Sequence, residues 1–380
     1  MAYVLNTVSV IFWGLLVLSL LVFIHEGGHF LSARAFGMRV TEFFLGLPSR
    51  WKLSTKSKTY GTEFGVTPIL LGGYTRICGM EGVEDELLAA ALMCIQRHGR
   101  VKVSELAEEI GCEEDWAYGL MATLTDWGAI RPYYDPELGE QPGQSEWPQS
   151  FETVARDYDL RCEYDRDHDF NHDGYTSDGE PRVPDMSPSE FLKHERARTY
   201  LGKSFVPRVM TLLAGPAVNI VFSLFLVIVT VSVFGMEFEQ DGQTFIWRPD
   251  VITACRFAFD YAMTVARFAM RLLMPQHTME ILESSSSVVG ISVMASEAAS
   301  TSAVDLSLLV ASVSMSLGFM NLLPIPPLDG GKIVIEIIQL VIQRPLSTKA
   351  QTIVSYVGVA FFLFIFVVAL RNDIVRYILG

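Results

Sequence analysis

Residues 20–29 read Leu-Leu-Val-Phe-Ile-His-Glu-Gly-Gly-His, and this stretch decides the fold class. It sets His25, Glu26 and His29 at the end of an uncharged apolar run that begins at Val4. Two histidines four apart share one face of a helix, so both imidazoles can reach a single Zn²⁺. The Glu between them is placed to take a proton from water at such a site. Gly27 and Gly28 are poor helix formers, but the preceding run carries the helix into them. A pattern with three fixed positions also arises by chance. The membrane setting gives it weight, because ionisable groups in or beside a hydrocarbon span are costly and by default functional. Two histidines do not complete a tetrahedral site, so a third protein ligand must come from elsewhere in the chain.

Working outward, half of the 380 residues are hydrophobic and the mean hydropathy is +0.31. The apolar residues fall in blocks, which implies an α-helical polytopic membrane protein. Four spans are expected, at residues 4–30, 208–234, 304–323 and 351–370. No charge precedes His25, and cleavage after Ala35 would discard the histidine motif, so the first run reads as a span and not a signal peptide. Arg34, Arg39, Arg50, Lys52, Lys56 and Lys58 follow span one, and Lys193, Arg196, Arg198, Lys203 and Arg208 precede span two. By the positive-inside rule the long 31–205 region and the 330–350 loop are cytoplasmic. Both termini and the 236–302 loop are then extracytoplasmic. The five cysteines show no paired spacing, and no disulfide framework is expected.

The second half of the site lies at the end of span three, Met320-Asn321-Leu322-Leu323-Pro324-Ile325-Pro326-Pro327-Leu328-Asp329-Gly330-Gly331. A proline-rich break frees backbone groups and is tolerated at membrane depth where it lines a buried cavity. Asp329 falls at the same end of its span as the histidines do of theirs. It could cap the helix that follows, but a carboxylate on zinc is neutralised by the metal, and the matching depth favours the ligand role.

These blocks resemble the site-two protease family of intramembrane zinc metalloproteases, in the bacterial branch that cleaves membrane-anchored anti-sigma factors. His25-Glu26-x-Gly28-His29 matches the family's zinc motif, and Asn321-x-x-Pro324-x-Pro326-x-Leu328-Asp329-Gly330 matches its second motif. Gly61-Thr62-Glu63-Phe64 through Leu71-Gly72-Gly73-Tyr74 looks like its membrane-associated β-hairpin. Lys203-Ser204 with Arg208, then Ala214-Gly215-Pro216 and Asn219, resembles the start of its second core span. The resemblance implies zinc on His25, His29 and Asp329, Glu26 as general base and then general acid, and Asn321 near the scissile peptide or its oxyanion. It implies the plasma (inner) membrane of a bacterium, and substrates that are single-span membrane proteins, of anti-sigma-factor type or signal-peptide remnants. The strand from Phe64 to Leu71 is expected to pair with an extended substrate. The alternative is a catalytically silent membrane scaffold or sensor.

Three features depart from that family. The interval between spans two and three leaves no room for a PDZ domain. Within it, Arg256, Asp260, Arg267 and Arg271 share one helical face, so an amphipathic helix at 250–274 is expected to lie on the outer membrane surface. The small residues from Ser284 to Ser302 read as a re-entrant or surface loop. Third, material is inserted before span two. Glu84–Arg97, Val103–Ile110 and Glu113–Asp126 read as helices and Ile130–Tyr134 as a strand, in winged-helix order. Residues 81–198 carry 28 acids and 11 bases, net −17, which argues against nucleic acid and for a regulatory protein partner.

The expected domains are 1–80 (first span and hairpin), 81–135 (winged-helix-like insertion), 136–200 (acidic linker) and 201–380 (remaining membrane core). Within the linker, Asp169, Asn171, Asp173, Tyr175, Ser177 and Glu180 occupy the ligand positions of a calcium loop, with Gly174 at its turn. Thr176, Pro181 and Pro184 depart from the usual pattern, and a solvated acidic linker is the competing reading.

Overall fold

The computed structural model describes residues 2–80, 85–141, 148–170, 174–240, 243–274, 276, 281, 286–344, 346 and 348–379. In chain order it forms α1 (Ala2–Ala35), β1 (Val40–Leu45), β2 (Leu53–Lys56), β3 (Glu63–Val66) and β4 (Gly73–Ile77). There follow α2 (Leu88–His98), β5 (Arg100–Lys102), α3 (Val103–Ile110), α4 (Glu114–Asp126), β6 (Ile130–Tyr133), β7 (Ser150–Thr153) and α5 (Pro188–Arg196). The remainder comprises α6 (Phe205–Val229), β8 (Met236–Gln240), β9 (Gln243–Trp247), α7 (Val251–Arg271), α8 (Val288–Thr301), α9 (Ala303–Asn321), α10 (Asp329–Ile342) and α11 (Thr348–Ile374). The chain divides into two compact units, residues 1–29, 70–72 and 209–380 in the first, and 30–69 and 73–208 in the second.

Among the described residues four helical stretches are long and apolar enough to cross a membrane: Thr7–Ala35, Phe205–Phe234, Ala303–Asn321 and Thr352–Tyr377. They coincide with the four expected spans. In the first unit, small residues and hydroxyls let α6 and α9 approach closely, the usual means of helix association in lipid. Ser223 Oγ donates to the Ala311 carbonyl at 2.5 Å, and Ser314 Oγ to the Asn219 carbonyl at 2.9 Å. The prolines at 324, 326 and 327 end α9 and postpone the next helix to Asp329.

Two expectations for the interval between spans two and three are corrected. The small-residue stretch is not a loop from Val288 onward but helix α8, which packs on α1. Ser9 and Ser296 hydroxyls lie 2.8 Å apart, and Ala295 packs with Val17 and Leu21. Small residues here serve close helix contact. Buried Asp373 of α11 caps α8, accepting from the Ser287 and Gly290 backbone N–H groups at 2.6 and 2.9 Å. The second correction concerns α7. Its amphipathic pattern is present, but its buried stripe is Ala254, Ala258, Ala262 and Ala269. Ala254 and Ala258 pack with Ala311, Tyr261 Oη donates to Ser312 Oγ at 2.8 Å, and Ala269 and Leu272 pack with Leu323. Helix α7 therefore runs lengthwise beside α9, in the same direction, and does not lie flat across the end of the spans.

In the second unit, β1–β4 form one sheet in the order β2-β3-β1-β4. Strand β3 pairs antiparallel with β2 and parallel with β1, and β4 pairs antiparallel with β1. The expected hairpin between Gly61 and Tyr74 is thus two strands separated by β1. The antiparallel hairpin is β2–β3, and β3 has no free edge. Sequence adjacency misled here, because β1 lies twenty residues upstream and enters between them.

Helices α2, α3 and α4 surround a buried core of Leu92, Ile95, Leu106, Met121 and Leu124, beside a three-stranded sheet in the order β5-β7-β6. Val103–Ile110 has the bounds read from sequence, and α4 and β6 differ by one residue at one end. Helix α2 begins later than expected, at Leu88, and Glu84 lies outside the described residues. The described part of 136–200 is built structure. Strand β7 is the fully buried centre of the sheet, and α5 starts at Ser187 with a capping box to Glu190.

Buried charges join these elements to the residues after α1. The Arg39 guanidinium donates to both Asp165 oxygens at 2.7 and 2.8 Å and to Glu195 Oε2 at 2.7 Å. Arg156 donates to Glu195 Oε1 at 2.9 Å, and Arg198 pairs with Asp165 at 3.2 Å.

Candidate active site

Helix α1 carries His25 and His29 one turn apart, and α10 carries Asp329 in its first turn; all three are buried. Their ligand atoms converge. His25 Nε2 lies 3.1 Å from Asp329 Oδ2, His29 Nε2 lies 3.2 Å from the same oxygen, and the two Nε2 atoms are 3.2 Å apart. A zinc ion with ligand bonds of about 2.0–2.1 Å sets tetrahedral edges of about 3.3–3.4 Å. The triangle is therefore of the size that zinc requires.

Proton accounting makes the same point. His29 Nδ1–H donates to the Thr211 carbonyl at 2.8 Å. With that proton placed, Nε2 of a neutral His29 is bare, and it faces a carboxylate oxygen across 3.2 Å. Two lone pairs at that distance repel unless a cation lies between them. The same hydrogen bond fixes the tautomer that leaves Nε2 free to ligate.

Close approach of α6 makes this geometry. A Cβ on Gly215 would meet His29 Nε2 and, at 2.9 Å, His25 Cε1. A Cβ on Gly28 would meet the Ala214 carbonyl oxygen at 2.5 Å. Gly27 has nothing within 4 Å of such an atom. The two glycines of the motif are thus unlike. Gly28→Ala and Gly215→Ala are expected to cost about 1–3 kcal/mol by overpacking and to displace the imidazoles. Gly27→Ala removes a poor helix former and should stabilise by up to about 1 kcal/mol. Thermal unfolding and zinc content of the three purified variants check this, and equal behaviour of Gly27→Ala and Gly28→Ala would refute it.

Glu26 follows His25 on α1 and is half-buried. Asn321 is the last residue of α9 and is half-buried; among the described residues its side chain is not hydrogen-bonded to the three converging groups. Lys332 Nζ stands 4.0 Å from Asp329 Oδ1, the oxygen turned away from the histidines. Segment 70–72 also reaches this unit, where Ser19 Oγ donates to the Leu70 carbonyl at 3.0 Å.

Two further groups touch these imidazoles, Thr211 through its carbonyl and Asn219 through its side chain, and sequence alone assigns neither a role beside the ligands. Asn219 is fully buried, and its amide nitrogen lies 3.4 Å from His25 Nδ1. Only Asn219 gave a signal, as a polar residue within an apolar span.

Among the described residues a second group of ligand-type atoms comes together, Cys94, His98 and Glu109. Cys94 Sγ lies 3.1 Å and His98 Nε2 3.0 Å from Glu109 Oε2. Burial, helped by Glu109, pushes the Cys94 thiol up to about 12, so it is an S–H donor. Thiol and imidazole both donate to one carboxylate, and the group needs no cation. In the calcium-type loop, Asn171 and Asp173 lie outside the described residues. Glu180 Oε2 accepts from the Ser177 backbone N–H at 2.7 Å, Asp169 N–H donates to Asp157 at 3.1 Å, and Tyr175 is exposed.

A family model described as Peptidase family M50 matches residues 13–365. A Helicobacter pylori chain that carries a zinc metalloprotease name is 28% identical over 375 residues, 95% of this chain and 98% of that one. Zinc metalloprotease RasP of Bacillus licheniformis is 32% identical over 133 residues, 34% of this chain and 31% of its own. Regulator of sigma-W protease RasP of Bacillus subtilis is 38% identical over 98 residues, 26% of this chain and 23% of its own.

Proposed function

Because this chain belongs to peptidase family M50, the site-two proteases, and is a zinc metalloprotease of the membrane, we propose that His25, His29 and Asp329 hold its zinc and that Glu26 moves the protons. The observation that carries the ligand assignment is the triangle of donor atoms 3.1–3.2 Å on a side. Bound zinc would supply Lewis acidity, polarising the scissile carbonyl and bringing the pKa of water toward about 7. Glu26 accepts the proton of the attacking water and returns it to the leaving amine. Asn321 orients the scissile peptide or donates to its developing oxyanion. His29 is held in its ligating tautomer by Thr211.

The substrates are single-span membrane proteins, of anti-sigma-factor type or signal-peptide remnants. The name of the Bacillus subtilis relative, a sigma-W regulator, supports this class. A helical peptide bond is shielded by its own hydrogen bonds, so the substrate must be drawn out as an extended strand. Strand β3 is interior, and the free edges of its sheet are β2 and β4. Strand addition is assigned to β2, whose four residues are all exposed. The insertion is a winged-helix-like domain, a reading supported by the helix order and the β5-β7-β6 sheet. With net −17 over 81–198 it serves a regulatory protein partner and not nucleic acid. The Lys and Arg distribution supports a cytoplasmic insertion and extracytoplasmic termini.

Elemental analysis tests the ligand set. The purified chain should hold about one zinc, as three protein ligands plus water require. Asp329→Ala should lose most of it. Full zinc in that variant would mean the third ligand is another residue.

A further inference from the structure

We infer that Asn219 is a positioning residue for the metal, a reversible partner for His25 Nδ1 that follows the tautomer of that ring. The inference rests on His25 ligating through Nε2, as proposed above. His25 Nε2 lies 3.1 Å from Asp329 Oδ2, and Nδ1 lies 3.4 Å from the Asn219 side-chain amide. Without a metal, Nε2–H donates to Asp329 and Nδ1 accepts from the amide NH₂. The amide lies with its nitrogen 3.4 Å from Nδ1, and the same heavy-atom positions serve either sense of the amide. Zinc on Nε2 reverses the requirement. Nε2 must then offer its lone pair, so the ring proton moves to Nδ1, and an NH₂ facing an N–H would repel.

Asparagine is suited to both states. A half-turn of its amide exchanges oxygen for nitrogen in nearly the same place, and the oxygen then accepts Nδ1–H. Among the described residues that oxygen has no hydrogen-bond partner, although it is buried. Among the described residues, no other side chain is hydrogen-bonded to His25 Nδ1. The two histidines are therefore served differently. His29 has a fixed acceptor, the Thr211 carbonyl, which allows only the ligating tautomer. His25 has a partner that serves either tautomer, so this ligand is stable both with and without metal.

The backbone of Asn219 is held independently of its side chain. Its carbonyl accepts from Ser314 Oγ at 2.9 Å, and Ser223, one turn along α6, bonds the Ala311 carbonyl at 2.5 Å. Side-chain replacements at 219 therefore leave the crossing of α6 and α9 in place. Loss of a partner to a ligating histidine typically lowers metal affinity about 10–100-fold.

The test is zinc affinity of the full-length chain in detergent, by competition with a chromogenic chelator. Asn219→Leu, of similar size and without an acceptor, should bind zinc about 10–100-fold more weakly. Asn219→Asp keeps the acceptor and should bind at least as tightly as the parent. Wild-type affinity in the Leu variant, or an Asp variant as weak as the Leu variant, overturns the inference. Should the Leu variant fail to fold, histidine ¹⁵N spectra of the zinc-loaded parent decide the matter. A protonated Nδ1 on His25 is expected, and zinc on Nδ1 rules the inference out. A parent chain that binds no zinc would instead sink the ligand assignment on which this rests, so the two failures are distinct.

Discussion

Glu26→Gln is expected to lose cleavage of a co-expressed single-span substrate by about 10²–10⁴-fold, the usual contribution of a positioned general acid–base. The substitution keeps the size and shape of the side chain and removes its capacity to take a proton. Glu26 is not one of the three converging groups, so zinc content should stay at about one per chain. These two readouts together separate the protease from the membrane scaffold. A scaffold has no use for a base between two metal ligands, and its other properties would not change with this substitution. Undiminished cleavage in a zinc-loaded Glu26→Gln chain would show that another group moves the proton. Loss of cleavage together with zinc would show that Glu26 supports the site and does not act in the reaction.

The zinc motif and the spans were legible because each is a local pattern with one physical cause. Two histidines four apart must share a helix face, and an apolar run of twenty residues has few other uses. Asp329 was also reachable, since a proline break fixes where the next helix starts and hence the depth of its first turn. What the sequence did not disclose are contacts made by groups without a pattern. Thr211 acts through its carbonyl, which every residue has. Gly215 acts by lacking a Cβ, and only the neighbouring imidazoles reveal why that matters. The order of β1–β4 was hidden for a different reason, since a parallel pairing of β1 with β3 leaves no turn signal between them. Helix α8 was missed because small residues have two meanings. In water they mark loops, and between membrane helices they mark close packing.

The acidic stretch before α6 was hardest to read, because its composition suggests a solvated linker while its charges include a buried network. Glu195 is fully buried, and its two oxygens serve Arg39 and Arg156, which are themselves buried. Burial alone would push its carboxyl up; Arg156 and Arg39 outweigh this and hold it well below the ordinary carboxylate range. Asp165 is depressed in the same way, burial being outweighed chiefly by Arg39. Glu195→Ala leaves Arg156 without a carboxylate and Arg39 with only Asp165. Breaking one side of a buried pair costs about 3–5 kcal/mol, so this change is expected to loosen the second unit by that amount. Lys193→Ala, exposed on the same helix, should stay within about 0.5 kcal/mol. Hydrogen exchange of the full-length chain, read over residues 85–200, measures both.

The same network predicts the response to acid. A carboxylate whose folded pKa is depressed adds stability above its unfolded pKa, near 4, and that stability disappears as pH falls towards the folded value. The second unit of the parent should therefore hold its protection from neutral pH down to about 5 and lose it progressively below about 4. The Glu195→Ala chain should start lower and show a shallower acid slope, because one of the two buried, depressed carboxyls of this network is gone. Parallel slopes in the two chains would mean that Glu195 is not the group that couples folding to protons.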